Sequence, residues 1–201
     1  MELSTVLRRR RMVRAYDAAR PVPASALDQV CKAALRVPSA GFTQAVSLLV
    51  LTSPEQRAAY WDAAAERETA WLVGMRAAPV LITVWTSRTS YLDRYAEPDK
   101  GWTDRDPERW PAPYWYVDAG MTVLAMLLTA TDQQLGACFF GVPARRIERI
   151  RQTFDVPDDQ LSVGVVSLGY PVPTAATGSP TRRPRRPATE LVYRERWAKA
   201  G

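Results

Sequence analysis

Arg8-Arg9-Arg10-Arg11-Met12-Val13-Arg14 stands near the start of the chain, and Pro38-Ser39-Ala40-Gly41-Phe42-Thr43-Gln44 follows between a helical stretch and an apolar one. These two segments, read together, decide the fold. Guanidinium groups are rigid forks of donors that match phosphate oxygens. A small-residue turn lets backbone amides come close to a planar ligand. A third segment, Arg182-Arg183-Pro184-Arg185-Arg186-Pro187, repeats the arginine signal near the other end. Brought together by folding, the three make a site for a phosphorylated aromatic cofactor.

Moving outward, Leu3 to Arg10 reads as a short helix. Leu27, Val30, Cys31, Ala34 and Leu35 recur at helical spacing and predict an amphipathic helix from Ser25 to Arg36. Pro38 stops it. Val46 to Leu51 is a buried strand. Ser53-Pro54-Glu55 has the form of an N-cap followed by Pro at the first helical position, and predicts one helix running to Arg76. Pro79 to Trp85 is a second strand. Residues 86–113 show no clear period and carry Tyr91, Tyr95, Trp102 and Trp110 among charges. So long a stretch is functional or disordered, and its aromatics favour function. It is either a surface excursion packed on the core or a second subunit, or a lid whose Trp102, Trp110 and Tyr114 stack on a planar substrate. Tyr114 to Gln134 is apolar almost all round, as in a helix buried centrally or at a subunit interface. Gly136 to Gly141 is a short strand, Pro143 to Phe154 a basic amphipathic helix, and Leu161 to Leu168 a further apolar strand. Helices and strands interspersed in this way define an α+β or α/β chain. Residues 1–170 form one core. The arm 171–201 lacks its own core, and its Leu191, Val192, Tyr193 and Trp197 need another surface.

Composition narrows the chemistry. With 201 residues and 47% apolar content, the chain can bury a proper core. No apolar run approaches the roughly 18–20 residues of a membrane span, and no apolar stretch follows the N-terminal basic residues, so a cytoplasmic protein is expected. Two cysteines, Cys31 and Cys138, make no disulfide framework, and both are expected to be buried and inert. With no histidine, Ser-His-Asp and Cys-His catalysis and the commonest metal ligand are excluded. No metal site is expected, and difficult chemistry falls to an organic cofactor. The net charge of +6 is uneven, with the end clusters basic and Asp93 to Glu108 mixed and acidic. A nucleic-acid groove would be more uniformly basic.

The order of the motifs adds a resemblance. Arg10-Arg11-Met12-Val13-Arg14, then Tyr16, Pro21-Val22, a helix, and Pro38-Ser39 with Gly41 and Gln44 before a strand form one string. Gln134 to Gly141 follows the long apolar helix, Val163 to Pro171 reads Val-Gly-Val-Val-Ser-Leu-Gly-Tyr-Pro, and Arg186-Pro187 precedes Glu190-Leu191-Val192 and Trp197. The whole resembles the FMN-dependent nitroreductase family. The resemblance implies an α+β fold with a mixed central sheet flanked by helices. It also implies an intertwined homodimer with FMN sites at the interface, along which the helix from Tyr114 lies. For the cofactor it implies Arg10, Arg11, Arg14 and the amide of Met12 on the phosphate and ribityl chain. Pro38, Ser39, Ala40, Gly41 and Gln44 lie along the ring, the backbone at Phe140 and Gly141 passes over it, and Arg183 and Arg186 return to the phosphate. The implied reaction is ping-pong hydride transfer from NAD(P)H through FMN to an electron-poor acceptor such as a nitroaromatic or quinone. Solvent can protonate the product, so no catalytic side chain is nominated.

Departures from the family pattern bear on the reaction. Met12 stands where the family commonly has Ser, Phe42 where it often has Asn, and Ala45-Val46 where it often has Pro-Trp. A Phe in the turn is similar to the flavin-fragmenting, benzimidazole-forming branch. That activity, natural-product tailoring, a non-catalytic flavin carrier and a basic nucleic-acid module stay open as alternatives.

Overall fold

The computed structural model describes residues 1–173 and 183–197. Arg182 and the rest of 174–182 and 198–201, expected in the C-terminal arm, lie outside the described residues. The helices among the described residues are α1 (Leu3–Arg9), α2 (Ala24–Ala34), α3 (Pro54–Ala64), α4 (Ala70–Arg76), α5 (Arg88–Ala96), α6 (Tyr114–Asp132) and α7 (Ala144–Thr153). Strands β1 (Val46–Leu51), β2 (Val80–Ser87), β3 (Gly136–Phe140) and β4 (Gln160–Gly169) form a four-stranded sheet in the order β1-β2-β4-β3. Its neighbouring strands are antiparallel throughout. The mixed character expected of the sheet enters through a parallel bridge from Met12 to Ala137 beside β3.

Side-chain alternation explains why these strands form the centre. On β2, Leu81 and Trp85 face the cluster that holds Tyr60, Trp61, Leu72, Met75 and Ile150. Val80, Ile82 and Val84 face the opposite cluster, with Val30, Val123, Met126 and Leu127. So α3, α4 and α7 cover one face of the sheet, and α2 and α6 cover the other. With both faces covered, β2 is buried along its whole length and reads as a near-continuous apolar run.

Three expectations change. The helix predicted from Ser53 to Arg76 is two helices. Ser53 caps α3 by accepting from the Gln56 amide at 3.2 Å, and Thr69 caps α4 by accepting from the Leu72 amide at 3.1 Å. The second cap competes with a continuous helix, because a side-chain acceptor satisfies amides that a preceding turn would otherwise bond. Within 86–113, α5 starts at the Ser87 cap, whose hydroxyl accepts from the Ser90 amide at 3.2 Å. Its one buried side chain is Tyr91, so polar residues hide the period. Trp110 meets Tyr95 at a centroid distance of 4.4 Å and Trp102 at 5.4 Å, so this segment packs on itself and on α6. Finally, Cys31 is half-buried while Cys138 is buried. Burial pushes both thiols up, which keeps them protonated and unreactive.

The helix α6 is not buried all round within one chain. Trp115, Ala119, Val123, Met126 and Leu127 are buried, whereas Tyr116, Val117, Met121 and Leu124 are exposed. No helix among the described residues is long and apolar enough to cross a membrane.

Candidate cofactor site

The N-terminal arginine segment is held by its backbone. After α1 the chain lies along β3, where the Val13 amide donates to the Ala137 carbonyl at 2.9 Å. Further on, the Asp17 amide donates to the Tyr170 carbonyl at 2.9 Å and the Val172 amide to the Ala15 carbonyl at 3.2 Å. Tyr16 is buried between these contacts. Its hydroxyl donates to the Val13 carbonyl at 2.7 Å and lies 2.8 Å from Ser167 Oγ. Burial raises its phenol above the ordinary tyrosine range. From the other side α4 presses on the segment, since a Cβ built on Gly74 would run into the Arg14 carbonyl. Residues 12–17 are thus clamped between β3, the end of β4 and α4.

The arginines at and just before this clamp differ. Arg11 and Arg14 are exposed, with Arg11 Nη1 donating to the Arg8 carbonyl at 3.0 Å and Arg14 Nη1 to the Met12 carbonyl at 3.2 Å. Arg10 is half-buried, and its Nη1 is buried without a hydrogen-bond partner among the described residues. A buried guanidinium donor left unmatched costs its desolvation, about 1–3 kcal/mol or more. An anionic oxygen placed there would remove that cost.

The Pro38–Gln44 turn is a strained device. Gly41, Phe42 and Gln44 have φ of 61°, 56° and 55°. For the two residues other than glycine this left-handed backbone costs roughly 1–3 kcal/mol each. Within the turn, the Phe42 amide donates to the Ser39 carbonyl at 2.9 Å and the Gln44 amide to Ser39 Oγ at 3.0 Å. The Ser39 O–H hydrogen is left to donate elsewhere. From outside, the Ala40 amide donates to Asp118 Oδ2 on α6 at 2.8 Å, and Arg94 Nε on α5 donates to the Gly41 carbonyl at 2.8 Å. Glycine is required at position 41 because Tyr95 packs over it, leaving a Cβ only 2.7 Å from the ring. Pro38, Phe42 and Gln44 are exposed.

A cavity of about 250 Å³ opens where β3 runs into α7, and Phe140 and Gly141 line it. Trp61 stacks on Phe140 at 5.8 Å with an interplanar angle of 10°, and Trp71 meets both rings edge-on. Tyr60 Oη and Trp61 Nε1 are buried without hydrogen-bond partners among the described residues. Of the residues nominated from sequence, only Phe140 and Gly141 border this cavity. The arginine segment reaches it indirectly. Met12 pairs with the strand that ends in Phe140, and Arg14 abuts the helix that carries Trp71. The turn is held elsewhere, by α5 and α6. Arg183 and Arg186 are exposed, and Arg186 Nε donates to Glu190 Oε2 at 3.0 Å.

Sequence reading did not single out Trp61, Trp71, Asp118 or Arg94 as site residues. Asp118 carried a usable signal: a lone acid in an apolar helix is stable there only if hydrogen-bonded. The others carried none, because their neighbours come from distant elements.

Comparison with known proteins fits this architecture. The profile of the nitroreductase family matches residues 7–170. Among solved structures, a protein crystallised with FMN and assigned as a nitroreductase, from Exiguobacterium sibiricum, superposes with a TM-score of 0.76 at 17% identity, covering 97% of this chain and 98% of that one. An FMN complex similarly assigned, from Desulfovibrio desulfuricans, gives 0.73 at 22% identity over 98% and 99% of the two chains. An FMN-dependent nitroreductase from Clostridium difficile gives 0.70 at 19% identity over 96% and 98%. The chain belongs to the nitroreductase family.

Proposed function

We propose that the protein is an FMN-dependent oxidoreductase that takes reducing equivalents from NAD(P)H and delivers them to a small planar or aromatic acceptor such as a nitroaromatic or quinone. The observation that carries this reading is the buried, unmatched Nη1 of Arg10, which stands at the end of α1 just before the backbone clamped from Met12 to Asp17. A preorganised cation of this kind suits a phosphate oxygen. The residues present therefore fit the group. Arg10, Arg11 and Arg14, with the Met12 amide, would hold the phosphate and ribityl chain. The turn from Pro38 through Ser39, Ala40 and Gly41 to Gln44 would lie along the ring edge with its amides and the Ser39 hydroxyl. Phe140 and Gly141 supply backbone at the ring, and the apolar cavity walls of Trp61 and Trp71 exclude water beside them. Arg183 and Arg186 are the distal phosphate candidates, and Arg186 would have to exchange Glu190 for the anion.

The chemistry supplied by bound FMN is hydride transfer, first from the nicotinamide and then to the acceptor. The chain contributes orientation and charge. Donors of the turn and nearby guanidinium groups favour negative charge at the ring edge, which raises the potential of the bound flavin. No side chain is assigned as an obligatory acid. The exposed stripe of Tyr116, Val117, Met121 and Leu124 suits a homodimer in which α6 meets a second copy. Because Asp118 ties the turn to α6, such an interface would bring the turn to it. A cytoplasmic setting accords with this use of NAD(P)H.

The test is direct. The purified protein should be yellow or should take up FMN stoichiometrically, with bleaching of the flavin band by NAD(P)H in the absence of air. Readmitting air or adding a quinone should restore the same band. A colourless protein that ignores added FMN ends the reading. Loss of the flavin on reoxidation would instead assign the flavin-fragmenting branch.

A further inference from the structure

We infer that α5, acting with Asp118 of α6, is a brace that sets the turn at Pro38–Gln44 in its cofactor-receiving conformation, which makes Arg94, Tyr91 and Asp118 positioning residues. The inference rests on the FMN reading for what the turn receives, and on geometry for the brace itself. Three residues of the turn sit in left-handed backbone, and its internal bonds, donated by Phe42, Thr43 and Gln44 to Ser39, Ala40 and Phe42, leave the Ala40 amide and the Gly41 carbonyl to be held from outside. The external bonds fall on Ala40 and Gly41, immediately before the strained Phe42. Asp118 is buried on α6 and its Oδ2 takes two donors, the Ala40 amide at 2.8 Å and the Tyr91 hydroxyl at 2.6 Å. One carboxylate oxygen therefore joins the turn to both helices.

Arg94 supplies the second tie. Its Nε donates to the Gly41 carbonyl at 2.8 Å, while Nη1 and Nη2 form a bidentate pair with Asp99 at 2.7 and 2.8 Å. Nη1 also reaches Glu97 Oε2 at 3.1 Å. The guanidinium is thus anchored by carboxylates on one side and holds a backbone carbonyl with the other. Tyr95 adds a ring packed over Gly41. A planar fork can make these contacts at once, whereas an ammonium cannot. The aromatic segment following α5, with Trp110 against Tyr91 and Tyr95, backs the brace with packing. On this account the segment shapes the site from behind and need not open over it.

The test uses the full chain. Arg94→Lys keeps the positive charge opposite Asp99 but loses the fork, and it alters a half-buried side chain, so the protein should fold. Asp118→Asn keeps a carbonyl oxygen for the two donors but removes the charge that strengthens both bonds. Hydrogen exchange in FMN-free protein is measured at the amides of Ala40, Phe42 and Gln44, and FMN affinity by quenching of flavin fluorescence. We expect both variants to exchange at the turn roughly tenfold faster and to bind FMN roughly tenfold more weakly, at melting temperatures close to the parent. Unchanged exchange in both variants overturns the brace. Faster exchange with unaltered FMN affinity overturns the positioning role, as does a loss of affinity that only follows global unfolding. If Asp118→Asn fails to fold, Arg94→Lys decides alone. Failure of the FMN reading looks different: the parent protein would show a protected turn and no FMN uptake.

Discussion

The two arginine regions are alike in sequence and unlike in structure. Arg10 ends α1, just before a backbone that is pinned to β3 at Val13, bonded by buried Tyr16 and pressed by α4 at Arg14, and one of its nitrogens is buried with no partner among the described residues. Arg186 is exposed and pairs with Glu190 four residues on. The first has its desolvation cost built in and gains most from an anion. The second is already compensated by a local, solvent-screened partner, and gives that up on binding one. An arginine becomes a recognition element when the fold removes its water without supplying an acceptor.

The largest expected effect is therefore at Arg10. Arg10→Ala should weaken FMN on the order of ten- to a hundredfold, with the melting temperature little changed, as read by flavin fluorescence titration and thermal unfolding. Gly74→Ala attacks the clamp. A methyl against the Arg14 carbonyl should destabilise the fold by about 1–3 kcal/mol in urea unfolding and weaken FMN as the segment shifts. Unaltered stability would show that α4 does not hold the segment. Alkaline pH probes the same clamp. Burial raises the phenols of Tyr16, Tyr60 and Tyr91, so each is neutral in the fold and ionises more readily in the unfolded chain. Their contribution is complete below the ordinary tyrosine range, about pH 10, and is lost as pH rises above it. Tyr16→Phe should flatten that decline in unfolding free energy measured between neutral and alkaline pH. The smallest effect belongs to Arg186→Ala. Loss of an exposed pair should change stability by no more than about 1 kcal/mol, and FMN affinity should fall less than in Arg10→Ala. An equal fall would break the contrast and show that the arm gives up Glu190 to reach the phosphate.

The strands were legible because covered sheets require near-continuous apolar runs, as in Leu81 to Val84 and Val163 to Leu168. The capping Ser53 with Pro54 was legible because it satisfies a helix start locally. The break at Thr69 and the helix from Arg88 were not, since each depends on a weak local cap overriding a smooth or polar pattern. In the site, the turn was legible from its small residues. Its anchors were not, because Asp118 lies far along the chain from Ala40, and Arg94 far from Gly41.

What sequence alone determined is the inventory and its order: two arginine clusters, a glycine turn, apolar strands, no histidine, and the motif string that marks the family. Those are local chemical properties and survive without coordinates. Only the tertiary structure decided which arginine is dehydrated and unmatched, and which side chains hold the turn. Burial and hydrogen bonding are set by neighbours from remote segments, and no spacing along the chain encodes them.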